Sequence, residues 1–419
     1  MKPNDTSTSQ IVAPFRYSGS LIAPASKSYL QRAIAIAALC EQPCRIDNFY
    51  PSNDAEAALS IAASLGAEIK RLDTAVEICK GKRSRDPVVL HCGESGLSTR
   101  MFSPIAALFE RKTTVSGEGS LLQRPINMIE EALHQLGVKT GSNAGFLPLE
   151  IFGPLQSATI YIDGSESSQL LTGLLIALPH LPAPSVVHVK NLKSIPYIQM
   201  TLDILAHFGV QIAHEKFEKF LISGNQKPRA TDYYTEGDWS GAAFHLVGAA
   251  ISGSVTIKGL NVHSSQADKA ILDALRLCGA EVRVSENEVT VLKNHCDAFT
   301  FDATHCPDLF PPLAVLAACC EGQSEIHGVS RLQHKESHRA LTIQQEFAKM
   351  NIDVLLDGDV MRIRKAEVFG AKVDSNNDHR IAMAAAILAS VANAAIQIDN
   401  ASAVNKSYPS FFADLKRIQ

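Results

Sequence analysis

At roughly 100–200 residues per domain, a chain of 419 residues has room for two to four domains, and its 46% hydrophobic and 20% charged content is ordinary for a folded globular protein. The net charge of -4 argues against a nucleic-acid protein, which usually carries a basic face, but leaves room for anionic small molecules held by local Lys and Arg. Nine cysteines, an odd number with no CxxC pair, read as buried reduced thiols of a reducing compartment.

The N-terminus lacks the charged-then-apolar pattern of a secretory signal. The apolar run 170–178 is too short to span a bilayer, and 381–398 is interrupted by Ser390 and Asn393, so it reads as a buried helix followed by a strand. A cytoplasmic location with no membrane or nucleic-acid partner is expected. His91 with Cys92, His295 with Cys296, and His305 with Cys306 are adjacent pairs, but their spacing is wrong for zinc ligands, and neither metal nor organic cofactor is expected.

In chain order, residues 10–15 suit a strand. Helices apolar on nearly every side then start near Ser26, Ser95, Ser167, Ser240, Asp308 and Asp378, with bodies such as AIAIAALC, LLTGLLIAL and IAMAAAILA. The steps between them are 69, 72, 73, 68 and 70 residues. Helices of that composition are fully buried. A second series runs in phase: helices stop at Gly66, Gly137, Gly209, Gly279 and Asn351, at intervals of 71, 72, 70 and 72, each followed by β-branched residues. Gly and Asn suit the left-handed residue that ends a helix. Amphipathic helices lie between the two series, for example over 125–136 and 267–277, with a last one over 408–418.

The chain is therefore an α/β protein of six units, each with one buried helix, one amphipathic helix and several strands. The sixth amphipathic helix has no strand after it, and residues 10–15 can supply one. That predicts two domains: 18–235 with units one to three, and 1–17 plus 236–419 with units four to six. The charged, Pro-containing stretch 225–238 suits a hinge. A stacked solenoid scaffold is the bland alternative, but solenoid repeats are usually shorter.

Ionic residues gather where buried helices begin: Lys27, Ser28 and Arg32; Glu94, Ser95, Gly96 and Arg100; Ser167, Ser168 and Gln169; Glu236 and Asp238; Asp308; Asp378 and Arg380. Ser and Asp make good N-caps, which is a sufficient account of Ser95, Asp238 and Ser240. It does not account for Lys27, Arg32, Arg100 and Arg380, because cations at a helix N-terminus oppose its dipole. An anion bound there would reconcile them. Arg124, with Pro125 at a first helical position, and Lys335 to Arg339 would open amphipathic helices, and Lys406 would precede the last one.

Eight segments, APASKSYLQRA, GESGLSTR, LLQRPI, SSQLLTGLL, IPYIQMTL, HKESHR, NDHRIAMA and NKSYP, stand in an order and spacing that resemble the 5-enolpyruvylshikimate-3-phosphate synthases along nearly the whole chain. The resemblance implies the two-domain enolpyruvyl transferase fold, each domain three βαβαββ repeats around buried helices, with the substrates in a cleft between domains. It implies transfer of the enolpyruvyl group of phosphoenolpyruvate to the 5-hydroxyl of shikimate 3-phosphate by addition and elimination, releasing phosphate, on the route to chorismate and aromatic amino acids. A monomer without a cofactor is expected.

Carried over position by position, the resemblance gives Lys27, Ser28, Arg32, Ser167, Ser168, Gln169, Ser194, Tyr197, Asp308 and Lys335 to shikimate 3-phosphate. Ser28 and Arg32 would take the ring acid. Lys27, Gly96, Arg124, Gln169, Arg339, Arg380 and Lys406 would hold phosphoenolpyruvate, Gly96 by leaving room. Asp308 is nominated to take the hydroxyl proton and Glu336 to protonate the methylene carbon, with Lys27 and Lys406 assisting. Four positions depart from the commonest pattern: Gln31 and Glu94 where Asn is usual, Arg331 where an Asn often contacts substrate, and His338 where Asp is frequent.

Two rival readings share the fold. The sister enzyme acting on UDP-N-acetylglucosamine typically has a Cys in the loop matching 117–124, here GEGSLLQR, and it lacks the Ser-Ser-Gln pattern. A non-catalytic binding protein of the same fold would be expected to have lost some of Lys27, Arg124, Asp308, Glu336, Arg380 and Lys406.

Overall fold

The buried helices and their strands recur as one supersecondary unit, and the chain winds through it six times. The computed structural model describes residues 9–82 and 84–419. Among these, the strands form five four-stranded sheets and one of three strands. Each four-stranded sheet repeats one pattern. A first strand runs parallel to a second, which is followed by two antiparallel neighbours; Thr159–Asp163 with Ser185–Lys190, Lys219–Ile222 and Ala213–Glu215 is one example. In three of these sheets the parallel step is bridged directly by a buried helix, Gly96–Ala106, Gln169–Ala177 or Phe310–Cys319, as a parallel connection requires.

Twelve α-helices are seen among the described residues: α1 (Lys27–Ala37), α2 (Asn53–Ser64), α3 (Gly96–Ala106), α4 (Asn127–Gln135), α5 (Gln169–Ala177), α6 (Ile195–His207), α7 (Trp239–Ser252), α8 (Ile271–Leu277), α9 (Phe310–Cys319), α10 (Arg339–Lys349), α11 (His379–Leu388) and α12 (Phe411–Arg417). Odd-numbered helices are the buried series. Every residue of α3 and α11 is buried, and so is all of α7 except Ser240. Even-numbered helices bury one face; α4 buries Ile129, Ala132 and Leu133, at the i, i+3, i+4 spacing of an amphipathic helix.

The stop residues behave as their chemistry requires. Gly66, Gly137, Gly209, Gly279 and Asn351 all have positive φ, between 66° and 99°. At Gly137 the turn is closed by its own N–H to His134 at 3.0 Å and by Val138 N–H to Leu133 at 3.0 Å. This leaves the chain aimed back along the helix as the next strand begins.

The chain divides into two units, one running from Ala25 to Thr235 and the other combining the residues up to Pro24 with Glu236–Gln419. Strand exchange explains both crossings. Gln10–Val12 pairs antiparallel with Ile396–Asp399, completing the sixth sheet beside the last repeat. Ser20–Ile22 then runs parallel to Ser254–Lys258 as the first strand of the fourth sheet. The chain therefore stays with the later unit until Pro24, which moves the boundary from the expected position between residues 17 and 18. Conversely, Tyr233–Tyr234 pairs in parallel with Ile46 and Asp47 and serves as first strand of the first sheet. In the later unit α7 packs against both α9 and α11; in the other, α3 packs against α5.

Several helix ends differ from the sequence reading. α4 starts at Asn127, so Pro125 stands outside it, and Arg124 closes a 3-10 turn (Gly119–Gln123). α10 starts at Arg339 with His338 at its N-cap, which puts Lys335 and Glu336 in the preceding loop. Lys406 ends a 3-10 segment (Ala401–Lys406), and the last helix runs only from Phe411 to Arg417.

Candidate active site

The expected site residues gather in two groups, one in each unit. In the unit 25–235, three buried helix starts converge. Gln31 of α1 donates to the hydroxyls of Ser95 at 2.9 Å and Ser98 at 3.0 Å and to the Asp54 carbonyl at 3.3 Å, stitching α1 to α2 and α3. Ser95 caps α3 through the Ser98 N–H at 3.2 Å. The departure at position 31 is thus a longer amide that still reaches three acceptors.

Lys27 places its ammonium 2.9 Å from the buried carboxylate of Asp54, a partner the sequence reading missed because it lies on another helix. Arg32 is 1% exposed, and burial brings its guanidinium down to about 10. It donates to Thr201 Oγ1 at 2.9 Å, the Ser28 carbonyl at 2.8 Å, the Tyr197 carbonyl at 3.2 Å and Thr172 Oγ1 at 3.4 Å. A guanidinium has about five N–H donors, so four acceptors leave Arg32 little to offer a ligand. Its evident work is to hold Ser28 and Tyr197 in place.

Ser167, Ser168 and Gln169 open α5, and the Gln169 N–H donates to the Ser167 hydroxyl at 3.1 Å. Ser168 and Ser194 stand at the N-caps of α5 and α6, and neither hydroxyl caps its own helix. Ser194 has φ 57°, a conformation uncommon for serine, which turns the chain into α6. Gly96 sits against Arg100, Arg124 and Gln169. A Cβ built on it would lie 3.0 Å from one guanidinium nitrogen of each arginine and 3.6 Å from the Gln169 amide oxygen. Arg100 donates to that same oxygen at 3.4 Å and to the Pro125 carbonyl at 3.3 Å.

In the unit carrying residues 236–419, Asp308, Lys335, Glu336, Arg339, Arg380 and Lys406 form one network. Arg339, with a fully buried side chain, donates to Asp308 at 2.8 Å, Glu336 at 2.6 Å and Asp378 at 2.9 Å. Arg380 meets the other Asp308 oxygen at 3.0 Å, Lys335 lies 3.6 Å from Asp308, and Lys406 lies 3.6 Å from Glu336. Four cations face three carboxylates, leaving the group net positive by one.

Burial alone would push the Asp308 carboxyl up, but Arg380, Lys335 and Arg339 outweigh it and hold it well below the usual carboxylate range. Burial lowers Lys335, with Asp308 opposing. Nearby Asp268, which the sequence reading missed, is pushed up to about 7 by burial and by the charge of Asp308, against Arg380. Lys27 and Arg380, cations at helix starts, thus already face carboxylates of the protein itself.

Comparison with known proteins decides the family. The model of the family described as EPSP synthase (3-phosphoshikimate 1-carboxyvinyltransferase) matches residues 12–415. The chain belongs to that family. A 3-phosphoshikimate 1-carboxyvinyltransferase of Clostridium novyi is 35% identical over 97% of this chain and 96% of its own length. Another, of Methanocella arvoryzae, is 37% identical over 96% of each chain. Among solved structures, EPSP synthase from Acinetobacter baumannii superposes with a TM-score of 0.82 at 24% identity, covering 99% of this chain and 98% of that one. The enolpyruvyl transferase NikO from Streptomyces tendae gives 0.79 at 18% identity, covering 98% and 97%. The architecture is that of the two-domain enolpyruvyl transferases. As an EPSP synthase family member the chain is a transferase, and none of its described helices is long and apolar enough to cross a membrane.

Proposed function

We propose that this chain transfers the enolpyruvyl group of phosphoenolpyruvate to the 5-hydroxyl of shikimate 3-phosphate and releases phosphate, as a cytoplasmic monomer. The observation that carries this reading is the joint presence of the two residue groups on a chain of the EPSP synthase family. In this reading both groups act on one pair of substrates.

The hydroxyl oxygen forms a bond to C2 of phosphoenolpyruvate and loses its proton to Asp308. The methylene carbon gains a proton through Glu336, which takes it from the neighbouring Lys406 ammonium, giving a tetrahedral intermediate. The C2–O bond to phosphate then breaks, the methyl carbon returns a proton, and an enol ether remains. Lys27 and Lys406 assist the proton movements. Ser28, Ser167, Ser168, Gln169, Ser194, Tyr197 and Lys335 hold shikimate 3-phosphate, with Arg32 acting chiefly through Ser28 and Tyr197. Gly96, Arg124, Gln169, Arg339, Arg380 and Lys406 hold phosphoenolpyruvate; arginine suits this because its planar fork pairs with phosphate and carboxylate.

A carboxylate held down by three cations is a weak base. Phosphoenolpyruvate supplies the remedy: its own charges compete for Arg339 and Arg380, and Asp308 becomes more basic when the acceptor is ready to react. Phosphate release measured with phosphoenolpyruvate plus shikimate 3-phosphate, and separately with UDP-N-acetylglucosamine, tests the proposal. Release only with the sugar nucleotide would overturn the acceptor.

A further inference from the structure

Three cysteines far apart in sequence meet in the unit that carries residues 236–419. Cys278 follows the last residue of α8, Cys320 follows the last residue of α9, and Cys296 lies in the connection after the strand Glu288–Leu292. Their sulfurs all lie within 4.8 Å of one another, and all three residues are buried. Asp308 precedes α9 and Cys320 follows it, so Cys320 lies at the opposite end of that helix from the proposed site.

The backbone builds this convergence. Asp297 N–H donates to the Cys278 carbonyl at 2.9 Å, tying the Cys296 segment to the end of α8. Glu321 N–H donates to the Cys296 carbonyl at 2.8 Å, and Ala298 N–H to the Glu321 carbonyl at 2.7 Å, tying it to the end of α9. Asp297 and Glu321 form a β-bridge at the same place. Each thiol therefore hangs by one short side chain from a fixed anchor. Three thiols in one buried spot are not a packing need, since Ala, Val or Ser would fill such space without oxidisable groups.

We propose that Cys278, Cys296 and Cys320 form a three-sulfur binding site for a soft, thiophilic metal cation of the zinc or cuprous class. At a metal–sulfur length of about 2.3 Å, two sulfurs on one tetrahedral or trigonal ion are separated by roughly 3.8–4.0 Å. The observed limit of 4.8 Å asks for an adjustment of under about 1 Å, within reach of a cysteine rotamer. Thiolate sets select such ions over hard cations.

Access fits the same ligand. An open cavity of about 540 Å³ is lined by Cys296, so an ion has an approach from solvent to that sulfur, and the cavity's Lys365 is paired with Glu321. A metal takes thiolates as ligands, so each bound cysteine gives up its proton. Binding therefore releases protons and tightens as pH rises.

The test uses the full chain, reduced and free of oxygen. Titration with Zn²⁺, with Co²⁺ as its coloured stand-in, and with Cu⁺ is expected to saturate at one ion per chain, with sulfur-to-metal charge-transfer absorption and a higher unfolding midpoint. The preference between Zn²⁺ and Cu⁺ identifies the ion class. Cys278→Ser, Cys296→Ser and Cys320→Ser should each weaken uptake at least tenfold, whereas Cys92→Ser, in the other unit, should leave it unchanged. X-ray absorption on the loaded wild-type protein is expected to show three sulfur neighbours, and it decides the matter should the serine variants fail to fold. Absence of saturable binding, fewer than three sulfurs, or formation of a disulfide in place of metal uptake would overturn the proposal.

Discussion

Arg339 donates to Asp308 across 2.8 Å from a side chain with no solvent exposure, and it is the same guanidinium that holds Glu336 and Asp378. Removing one member of a buried ion network leaves its partners charged and uncompensated, a loss of about 3–5 kcal/mol. Arg339→Ala should therefore lower both stability and turnover, which denaturant unfolding and a phosphate-release assay would read on one preparation. Full stability in the variant would show that the network is not the strut described here.

Glu336 is the group assigned to the methylene carbon, and it sits in a loop ahead of α10, held by Arg339 and Lys406. Glu336→Gln keeps the shape and one hydrogen-bonding oxygen while removing the transferable proton. Turnover should fall by about 10²–10⁴-fold with shikimate 3-phosphate binding retained, as calorimetry and steady-state kinetics can show. Unchanged turnover would remove Glu336 from the chemistry.

Gly96→Ala places a methyl group 3.0 Å from nitrogens of both Arg100 and Arg124. Those guanidinium tips must shift by a few tenths of an ångström, into the space assigned to phosphoenolpyruvate. The expected result is a raised KM for phosphoenolpyruvate with little change in that for shikimate 3-phosphate. A uniform loss for both substrates would mean that the residue matters only for folding.

His245 lies in the aromatic core of the later unit, stacked on Phe411 at 5.1 Å between centroids and edge-on to Tyr17 and Tyr408. Among the described residues neither ring nitrogen has a hydrogen-bond partner, and burial brings its pKa down to about 3. Between about 3 and 6.5 the unfolded chain binds a proton at position 245 that the folded chain refuses, so the contribution of His245 to stability falls as pH falls through that window, by up to roughly 1.4 kcal/mol per pH unit, while Asp268, raised to about 7, opposes it. Asp308 adds to acid sensitivity in the same direction: its depressed carboxyl stabilises the fold above the ordinary carboxylate value and loses that contribution as acid protonates it. His245→Phe should make the slope of stability against pH between pH 4 and 6 less positive than in the wild type when ΔG is measured in urea at several pH values. An unchanged slope would show that His245 takes up a proton within the fold.

The repeat was legible because each unit needs the same two things, a helix buried on every side and a residue tolerant of positive φ to stop its partner. Both leave marks at fixed intervals, and Gly66, Gly137, Gly209, Gly279 and Asn351 carry them. Strand exchange at Ser20–Ile22 and Tyr233–Tyr234 was not legible, since two or three residues carry no periodicity of their own. Within the site, the cations and the carboxylates Asp308, Glu336 and Asp378 could be seen, but the pairing among them, and the further acids Asp54 and Asp268, could not. Asp54 and Lys27 lie on different helices, and Asp268 reads as an ordinary helix acid until its burial is known. The same holds for the three cysteines, 18 and 24 residues apart, which only the backbone ties between α8 and α9 bring together.

The most direct test of the central claim follows the carbon itself. Wild-type protein would be incubated in deuterated water with shikimate 3-phosphate and phosphoenolpyruvate labelled with carbon-13 at C2, and the products read by NMR. The expected outcome is a labelled enol ether on the shikimate 5-oxygen, one phosphate released per product, and deuterium in its methylene group from the reversible protonation assigned to Glu336. Label that appears only in pyruvate, or only on UDP-N-acetylglucosamine when that acceptor is offered instead, would contradict it.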